Sequence, residues 1–359
     1  MKYILSTEAL NNERTGIGNY TSMLTRHAKK YFEKEDLFFF NNGNITNKPI
    51  SNYSSNILIK KLKRRLNKFF NQSVDLNRIQ PVKFHGTNYF LPDFIESGFI
   101  TVHDLSVIRL PETHPDDRVK FFNKNIHQSI EKAQKIFTDS NFTKNELIDI
   151  YSISPNIIQT ITLGADMYDI SITKQKAISE IIPYNIKYKS FILCIATIEP
   201  RKNIINLIRA YKKLPEKIKT KYPLILVGSR GWKCEKIFEL IHSSDSTIMY
   251  FGYLNNTQIA SFYKSASFFV YPSIYEGFGL PVAEASYFKL PLLISDIPVF
   301  RELFPNANFF NPYDIDHLFQ KIKDTIESFE DRELTNKTIN QKNYDMTWQE
   351  TAIKTFASY

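Results

Sequence analysis

Short apolar runs alternate with longer stretches of helical spacing along most of the chain. In the longer stretches hydrophobic positions recur every three or four residues, which predicts helices, for example over 117–133 and 141–151. Such alternation is typical of parallel sheets covered by helices. The runs predicted to be buried strands are KYIL, LFFF, VKFH, FITVHD, IFTDS, SFILCIAT, LILVG, IMYFG, FFVYP and LLISD.

The pattern weakens once and then starts again, which predicts two α/β domains of the same class, each a doubly wound, Rossmann-like sheet. Residues 1–168 would form the first domain, the polar stretch 169–189 a linker, and residues 190–344 the second domain. The tail 345–359 is predicted to contain a helix whose apolar face includes Trp348. Two such domains leave a cleft between them, and ligands of doubly wound sheets bind beyond the carboxyl ends of the strands.

The composition is that of a globular protein with a basic surface. Hydrophobic residues make up 43% and charged residues 23% of the 359 residues, and the formal net charge is +9. This charge predicts an anionic partner: nucleotide phosphates, a lipid surface or nucleic acid. Two cysteines, Cys194 and Cys234, are too few for a disulfide framework and fit a reducing compartment. Because no long apolar run is found, we expect a cytoplasmic protein without a signal peptide or membrane span.

A basic segment lies at 57–70, ILIKKLKRRLNKFF, with six cations and no acidic residue. Its leucines and phenylalanines recur at helical spacing, so one face is apolar and the rest is basic. A helix lying on an anionic membrane or a charged acceptor has this pattern, and so does a surface helix whose apolar face joins the core. Nucleic acid is a weaker interpretation, because the cations are not interleaved with aromatic residues. The cations are Lys60, Lys61, Lys63, Arg64, Arg65 and Lys68.

Two further cations, Arg201 and Lys202, follow a predicted strand in the stretch IATIEPRKN, residues 195–203. They lie at the start of a predicted helix, where backbone N–H groups lack helical partners. Cations are unusual there, since they oppose the helix dipole. A diphosphate leaving group requires such a site, because negative charge grows on it as its bond breaks. The pattern therefore favours a functional role over an ordinary basic helix start.

The stretch EGFGLPVAEA, residues 276–285, places Glu276 and Glu284 eight positions apart around a Gly-Phe-Gly turn. Glycine lets the backbone approach a ligand closely, and a turn that opens a helix offers N–H groups to an anion. The carboxylates suit sugar hydroxyls instead. Glu284 lies in an otherwise apolar helix, where a buried carboxylate is costly without a partner. The candidate binding residues here are Ser273, Glu276, Gly277, Phe278, Gly279, Leu280 and Glu284.

Weaker candidates lie earlier in the chain. Gly16 and Gly18, in ERTGIGNYT, separate the first strand from the first helix, where they contact a phosphate or sugar or simply form a tight turn. His103, in TVHDLS, follows a strand and could donate to a hydroxyl or carry a proton, but a structural histidine is the favoured interpretation of it alone. His85 has the same status, and His114 is expected at the surface. No His/Cys pair has metal-ligand spacing, so no metal site is predicted.

Taken together, these segments resemble the retaining glycosyltransferases of the GT-B fold, in the family called glycosyl transferases group 1. The likeness covers nearly the whole chain, and its most specific elements are the two glutamates around Gly-Phe-Gly, followed by EPRKN. Many relatives carry an arginine several residues before the lysine of the phosphate pair, where this chain has Ala196 or Thr197. The matching segments are TGIGNYT, VHDL, TDSNFTKNEL, TLGAD, TIEPRKN, LVGSRGW, FGYL, YPSIYEGFGLPVAEA, LLISDIPVFREL and WQETA.

The resemblance implies that the donor, a nucleotide sugar, binds the second domain. Glu284 would hold the ribose hydroxyls and Glu276 the donor sugar. Arg201 and Lys202 would neutralise the diphosphate, helped by the N–H groups of Gly279 and its neighbour Leu280. No cofactor and no metal is implied, since cationic side chains and helix N-termini take that role.

The first domain would bind mainly the acceptor in such an enzyme. By resemblance, His103 would hydrogen-bond the 6-hydroxyl of the donor sugar, and Gly16 would approach the phosphate. The terminal helix would pack back on this domain. Retention of configuration would follow from attack on the face from which the phosphate departs, with that phosphate as the base.

The sequence therefore predicts a retaining glycosyltransferase. TIEPRKN and SIYEGFGLPVAEA are most similar to the O-antigen and capsule mannosyltransferases, which implies GDP-mannose as donor, a lipid-linked glycan as acceptor and peripheral contact with the inner face of the cell membrane. A UDP-sugar donor is the alternative within this class. Two other classes stay open: a GT-B UDP-sugar epimerase, whose motifs differ from EPRKN and EGFG, and a non-catalytic nucleic-acid-binding protein, which would leave the glutamate pair without a role.

Overall fold

A computed structural model describes residues 1–10, 16–49, 79–335 and 344–359. The basic segment 57–70, with its six cations, lies outside the described residues. The chain divides into two compact units, and Ser106–Val119, inside the predicted first domain, belong to the second unit. The first unit comprises Met1–Leu105, Lys120–Gly164 and Thr347–Tyr359, and the second comprises Ser106–Val119 and Ala165–Met346.

The first unit is built on a seven-stranded sheet in the order β3-β2-β1-β4-β5-β6-β7, parallel except for the β2–β3 pair. The inner strands are apolar along most of their length, because both faces of a parallel sheet are covered. The strands are β1 (Lys2–Ser6), β2 (Leu37–Asn41), β3 (Asn44–Thr46), β4 (Val82–Gly86), β5 (Gly98–Val102), β6 (Ala133–Thr138) and β7 (Ile158–Thr160).

The second unit is built on a six-stranded sheet, parallel throughout, in the order β10-β9-β8-β11-β12-β13. Its central strands are completely buried, which explains their near-continuous apolar sequence. The strands are β8 (Ile192–Ile195), β9 (Leu224–Val227), β10 (Ile248–Phe251), β11 (Phe268–Tyr271), β12 (Leu292–Ser295) and β13 (Asn308–Phe310).

Helices occupy most of the connections between the strands. In chain order they are α1 (Gly16–Tyr31), α2 (Ser106–Arg109), α3 (Asp116–Glu131), α4 (Asn141–Tyr151), α5 (Lys174–Ile181), α6 (Ile204–Lys212), α7 (Glu216–Lys221), α8 (Glu235–His242), α9 (Asn256–Ser265), α10 (Leu280–Tyr287), α11 (Pro298–Leu303), α12 (Ile315–Thr335) and α13 (Trp348–Phe356). Among the helices of the described residues, none is long and apolar enough to cross a membrane.

The last helix, α13, packs against α1 in the first unit. It begins with a capping box, in which the Thr347 hydroxyl accepts a hydrogen bond from the Glu350 N–H and the Glu350 carboxylate accepts one from the Thr347 N–H. Trp348 is 1% exposed. Gly164 permits the close approach, because a Cβ there would lie 2.1 Å from the Trp348 nitrogen.

All ten apolar runs form strands, so the predicted pattern of elements is confirmed. Three strands were not predicted, β3, β7 and β13, each of three residues and too short to carry a pattern. The stretch 169–189, predicted to be a linker, contains α5, which packs against α9.

Candidate functional site

The candidate site of the second unit lies where the strand order of its sheet changes direction. From β8 the chain proceeds outward to β9 and β10, whereas β11 leads to β12 and β13 on the other side. The candidate residues from the sequence lie in the segments that follow two of these strands: Glu199–Lys202 after β8 and Ser273–Gly279 after β11. A doubly wound sheet binds its ligands at this kind of switch point.

Arg201 connects the two segments through its guanidinium group. It lies in a short 3₁₀ turn and is 9% exposed. Nη1 donates to the Tyr275 carbonyl at 2.7 Å and to Glu276 Oε2 at 3.0 Å, and Nη2 donates to Glu199 Oε1 at 2.9 Å. Charged, forked hydrogen bonds of this kind fix a guanidinium in one orientation. The structure therefore holds Arg201 between two buried carboxylates.

Lys202 and Tyr271 hold the other side of Glu276. The Lys202 ammonium donates to Glu276 Oε1 at 2.5 Å, and the Tyr271 hydroxyl donates to the same oxygen at 3.2 Å. Burial raises the pKa of Glu276, but the charges of Arg201 and Lys202 outweigh it and hold the pKa below its ordinary value. Glu276 is thus an ionised carboxylate between two cations.

Ser273 joins the two segments through the backbone. Its hydroxyl lies within hydrogen-bond distance of the Arg201 carbonyl, at 3.2 Å, and of the Tyr275 carbonyl, at 3.0 Å. The Ile274 N–H donates to the Arg201 carbonyl at 3.0 Å. Ser273 is completely buried, so the structure gives its hydroxyl a part in fixing the cation-bearing turn.

The Gly-Phe-Gly turn leads into α10. Gly279 is the N-cap of this helix with φ +94°, and a Cβ there would lie 2.6 Å from a ring carbon of Phe300, so both conformation and space demand glycine. Leu280 begins the helix and Pro281 follows, so the first-turn N–H groups include those of Gly279 and Leu280. Phe278, between Gly277 and Gly279, is 4% exposed and packs on Tyr344 with ring centres 5.8 Å apart.

Glu284 lies within α10 and has a buried partner that the sequence did not reveal. The Tyr263 hydroxyl, from α9, donates to Glu284 Oε2 at 2.8 Å. Burial raises the pKa of Glu284 to about 8, although the Tyr263 hydrogen bond opposes this effect. The carboxyl is therefore mostly protonated at neutral pH and would ionise more readily once further donors reach it.

In the first unit, His103 follows β5 and both of its ring nitrogens have protein partners. Nδ1 lies 2.8 Å from Asp139 Oδ2, and Nε2 lies 2.9 Å from the Thr87 carbonyl. Nε2 carries a hydrogen, since a carbonyl only accepts. Burial lowers the pKa of His103, but the neighbouring Asp139 outweighs burial and raises the pKa above its ordinary value. Both ring nitrogens of His103 thus have partners within the protein, one of them a backbone carbonyl, while burial raises the pKa of Asp139 as well.

His85 has a similar internal role. Its Nδ1 lies 2.5 Å from the Tyr359 hydroxyl and its Nε2 lies 2.7 Å from the Thr101 hydroxyl. Burial lowers the pKa of His85 to about 3, so the ring is neutral. Gly16 and Gly18 occupy the first turn of α1, and Gly18 is buried.

His114 was expected at the surface, and that prediction is wrong. It is 1% exposed, its Nε2 lies 3.0 Å from the Ser106 hydroxyl, and its ring packs beside Trp232. Trp232 donates to the Thr113 carbonyl at 2.8 Å. The polar neighbours of His114 in the sequence concealed this packing.

Sequence reasoning missed four partners of the candidate residues: Glu199, Tyr263, Tyr271 and Asp139. Glu199 lies two positions before Arg201, and Tyr271 is the last residue of the strand before Glu276. Because both lie at or just after the end of a strand, their positions could have indicated from the sequence that they belong to the site. Tyr263 and Asp139 are brought to their partners only by the fold. In the part of the chain that the structure describes, no group of three or more His, Cys, Asp or Glu side chains could hold a metal ion.

Comparison with known proteins gives matches over the whole chain. The sequence model of the family described as "Glycosyl transferases group 1" matches residues 180–342. The chain is 30% identical over 378 aligned positions to the O-antigen chain mannosyltransferase B of Escherichia coli, with 100% of this chain and 99% of that protein covered.

Solved structures share the fold. WaaG, a glycosyltransferase involved in lipopolysaccharide biosynthesis, superimposes with a TM-score of 0.70 and 13% identity, covering 99% of this chain and 95% of WaaG. Anabaena HepE in complex with UDP-glucose gives a TM-score of 0.68 and 14% identity, covering 100% of both chains. The predicted fold class, GT-B with two Rossmann-like sheets, is confirmed.

Proposed function

Because this chain belongs to the glycosyl transferases group 1 family and is a glycosyltransferase, we propose that it transfers mannose from GDP-mannose to a lipid-linked glycan. One observation carries the donor site: Arg201 and Lys202 converge on Glu276 at the switch point of the second sheet. Cations at this point match the diphosphate of a nucleotide sugar, and the carboxylates match hydroxyl groups.

Each group of the site has a place in this proposal. The diphosphate lies against Arg201, Lys202 and the first-turn N–H groups of α10, which favour an anion. The ribose hydroxyls donate to Glu284 and the hydroxyls of the donor sugar to Glu276. Since the two cations supply positive charge at the place where negative charge grows on the leaving group, transfer without a metal ion is part of the proposal.

The choice of sugar rests on the relatives. The E. coli relative that matches the full chain is named an O-antigen chain mannosyltransferase, which supports mannose and a role in O-antigen synthesis. GDP as the carrier of the mannose is proposed from the sequence resemblance. A UDP-sugar is the second candidate donor, because HepE, of the same fold, binds UDP-glucose.

Retention of the anomeric configuration completes the proposed reaction. The acceptor hydroxyl attacks the sugar carbon on the face that the diphosphate leaves, the carbon–oxygen bond to the phosphate breaks, and the departing phosphate takes the hydroxyl proton. Glu276, held between two cations, serves as an acceptor of sugar hydroxyls in this proposal and forms no bond to the sugar carbon. The acceptor would be presented at the inner face of the cell membrane.

Calorimetric titration with GDP, UDP, GDP-mannose and UDP-glucose tests the donor site. We expect one nucleotide and its sugar to bind the wild-type protein, and Glu284→Gln to weaken that binding at least about tenfold. The matched control is Glu239→Gln, an exposed position on α8, which should leave the affinity unchanged. Absence of binding by all four compounds would overturn the proposal.

A product assay tests the reaction. With a donor and a lipid-linked acceptor, NMR of the product should show the same anomeric configuration as the donor. Incubation of the donor alone separates the epimerase hypothesis, since an epimerase changes the free nucleotide sugar. Salt-sensitive binding of any DNA duplex together with absence of nucleotide-sugar binding would support the nucleic-acid hypothesis instead.

A further inference from the structure

The cations of the candidate site are fully compensated by carboxylates of the protein itself. Within the cluster, Arg201 and Lys202 carry two positive charges, and Glu199 and Glu276 carry two negative charges. All four side chains are at least 90% buried by exposure of the residue. A diphosphate that enters this neutral cluster gains a net attraction only if a carboxylate leaves the cations.

Glu276 is the carboxylate that lies on both cations. Its Oε2 accepts from Arg201, and its Oε1 accepts from Lys202 and from Tyr271. Oε1 therefore has both of its lone-pair positions occupied. Glu199, in contrast, contacts Arg201 through one oxygen. In this arrangement Glu276 takes the place on the cations that an incoming phosphate would need.

We propose that Glu276 is an internal stand-in for the diphosphate, and that it makes the site discriminate a nucleotide sugar from the bare nucleoside diphosphate. This inference rests on the proposed function. A nucleotide sugar brings hydroxyl donors. When its diphosphate takes the hydrogen bonds of Arg201 and Lys202, Glu276 can accept hydrogen bonds from the sugar instead. A nucleoside diphosphate brings the same phosphates but no sugar hydroxyls, so Glu276 stays beside them as an uncompensated negative charge. The product of the transfer is thereby released.

The test is the ratio of two dissociation constants, Kd for the nucleoside diphosphate over Kd for its nucleotide sugar, measured by calorimetry with GDP and GDP-mannose and with UDP and UDP-glucose. Glu276→Gln keeps the shape of the side chain but removes its charge. We expect it to bind the nucleoside diphosphate more tightly and the nucleotide sugar more weakly, so that the ratio falls at least about tenfold.

The matched control is Glu199→Gln, which removes the same charge from the same cluster. Because Glu199 contacts Arg201 and does not contact Lys202 in the described structure, it should change both dissociation constants by a similar factor and leave the ratio unaltered. A second variant, Tyr271→Phe, removes one donor from Oε1 of Glu276. This loss matters most when a nucleoside diphosphate has taken the cations and no sugar hydroxyl replaces them, so the ratio should rise about twofold to fivefold.

Circular dichroism and melting temperature show whether each variant is folded, and Tyr271→Phe decides the question if Glu276→Gln does not fold. An unchanged ratio in the folded Glu276→Gln variant, or an equal fall of the ratio in Glu199→Gln, would overturn the stand-in role. Binding of a nucleotide sugar by the wild type would still support the donor site in that case. Absence of all nucleotide binding by the wild type would overturn both proposals.

Discussion

The hydroxyl of Tyr263 donates a 2.8 Å hydrogen bond to Oε2 of Glu284, and both side chains are buried. The bond joins α9 to α10 and orients a carboxyl group that would otherwise lie in apolar surroundings. One oxygen of Glu284 is thus fixed by the protein, and in the proposed function the other oxygen receives the ribose hydroxyls.

Tyr263→Phe is expected to weaken donor binding without removing any group that contacts the donor. The hydrogen bond from Tyr263 lowers the pKa of Glu284, so its loss raises that pKa further above about 8. The ribose then meets a carboxyl that is harder to ionise and less well oriented. We expect the Kd of the nucleotide sugar to rise about threefold to tenfold at pH 7, measured by calorimetry.

The control for Tyr263→Phe is Tyr211→Phe. Tyr211 is also buried in the second unit, and its hydroxyl lies within hydrogen-bond distance of the backbone carbonyls of Lys219, Tyr222 and Thr247. Its loss should lower the melting temperature and leave the Kd unchanged. An equal rise of the Kd in both variants would indicate general loosening of the unit and contradict the orienting role.

Glu284→Gln should make the protein more stable, and increasingly so as the pH rises. The pKa of Glu284 is about 8 in the folded protein against an ordinary value of 4.5, so the folded state binds the proton more strongly. The stability that the protonated carboxyl contributes is complete below pH 4.5 and is lost as the pH rises toward 8. The advantage of the variant should grow by at most about 1.4 kcal/mol per pH unit in that window.

Denaturant unfolding at pH 5, 6.5 and 8 measures this difference between the two proteins, and other titrating groups cancel in it. A constant difference across the three pH values would show that Glu284 is already ionised in the folded protein. A gain in stability together with a loss of donor binding would place Glu284 among residues kept for function at a cost in stability.

The strands could be predicted from the sequence because buried parallel strands are continuously apolar. β8, which reads ILCI, and β9, which reads LILV, are fully buried, and β9 is bounded by the turn-forming residues Pro223 and Gly228. β13 pairs with β12 through three residues and has an exposed first position, Asn308. β13 is recognised as a strand only through its pairing with β12, and the local sequence pattern does not show that pairing.

The candidate cluster was predictable only in part. Arg201, Lys202 and Glu276 follow strand ends, and a doubly wound sheet brings such positions together. The sequence does not show which carboxylate a cation meets, so the pairing of Arg201 with Glu199 and the contact of Glu276 with both cations required the structure. The contacts of the Ser273 hydroxyl with two backbone carbonyls and with Glu276 likewise required the structure.

Lys202→Met should reduce the rate of transfer far more than the stability. The variant keeps the length and apolar stem of the side chain but removes the positive charge that stabilises the departing diphosphate, and we expect kcat to fall about 10²- to 10³-fold. The measurement is a steady-state transfer assay with saturating donor.

The matched control for Lys202→Met is Lys219→Met. Lys219 is another buried lysine of the second unit and forms ion pairs with Glu216 and Asp245. Its loss should lower the melting temperature with kcat nearly unchanged. If Lys202→Met retained the wild-type kcat, Lys202 would have no part in stabilising the leaving group.

His103 and Asp139 should behave as one buried ion pair in a double-mutant cycle. Asp139→Asn leaves a buried imidazolium whose Nδ1 lies beside a neutral amide, which should cost about 3 kcal/mol of unfolding free energy. His103→Gln leaves the Asp139 carboxylate buried, with a similar cost. The double variant leaves no buried charge of the pair. Its loss of unfolding free energy should therefore be smaller than the sum of the two single losses by about 1–3 kcal/mol.

Denaturant unfolding of the wild type, the two single variants and the double variant measures this coupling energy. Additive costs would show that the 2.8 Å contact between the two side chains is not an ion pair.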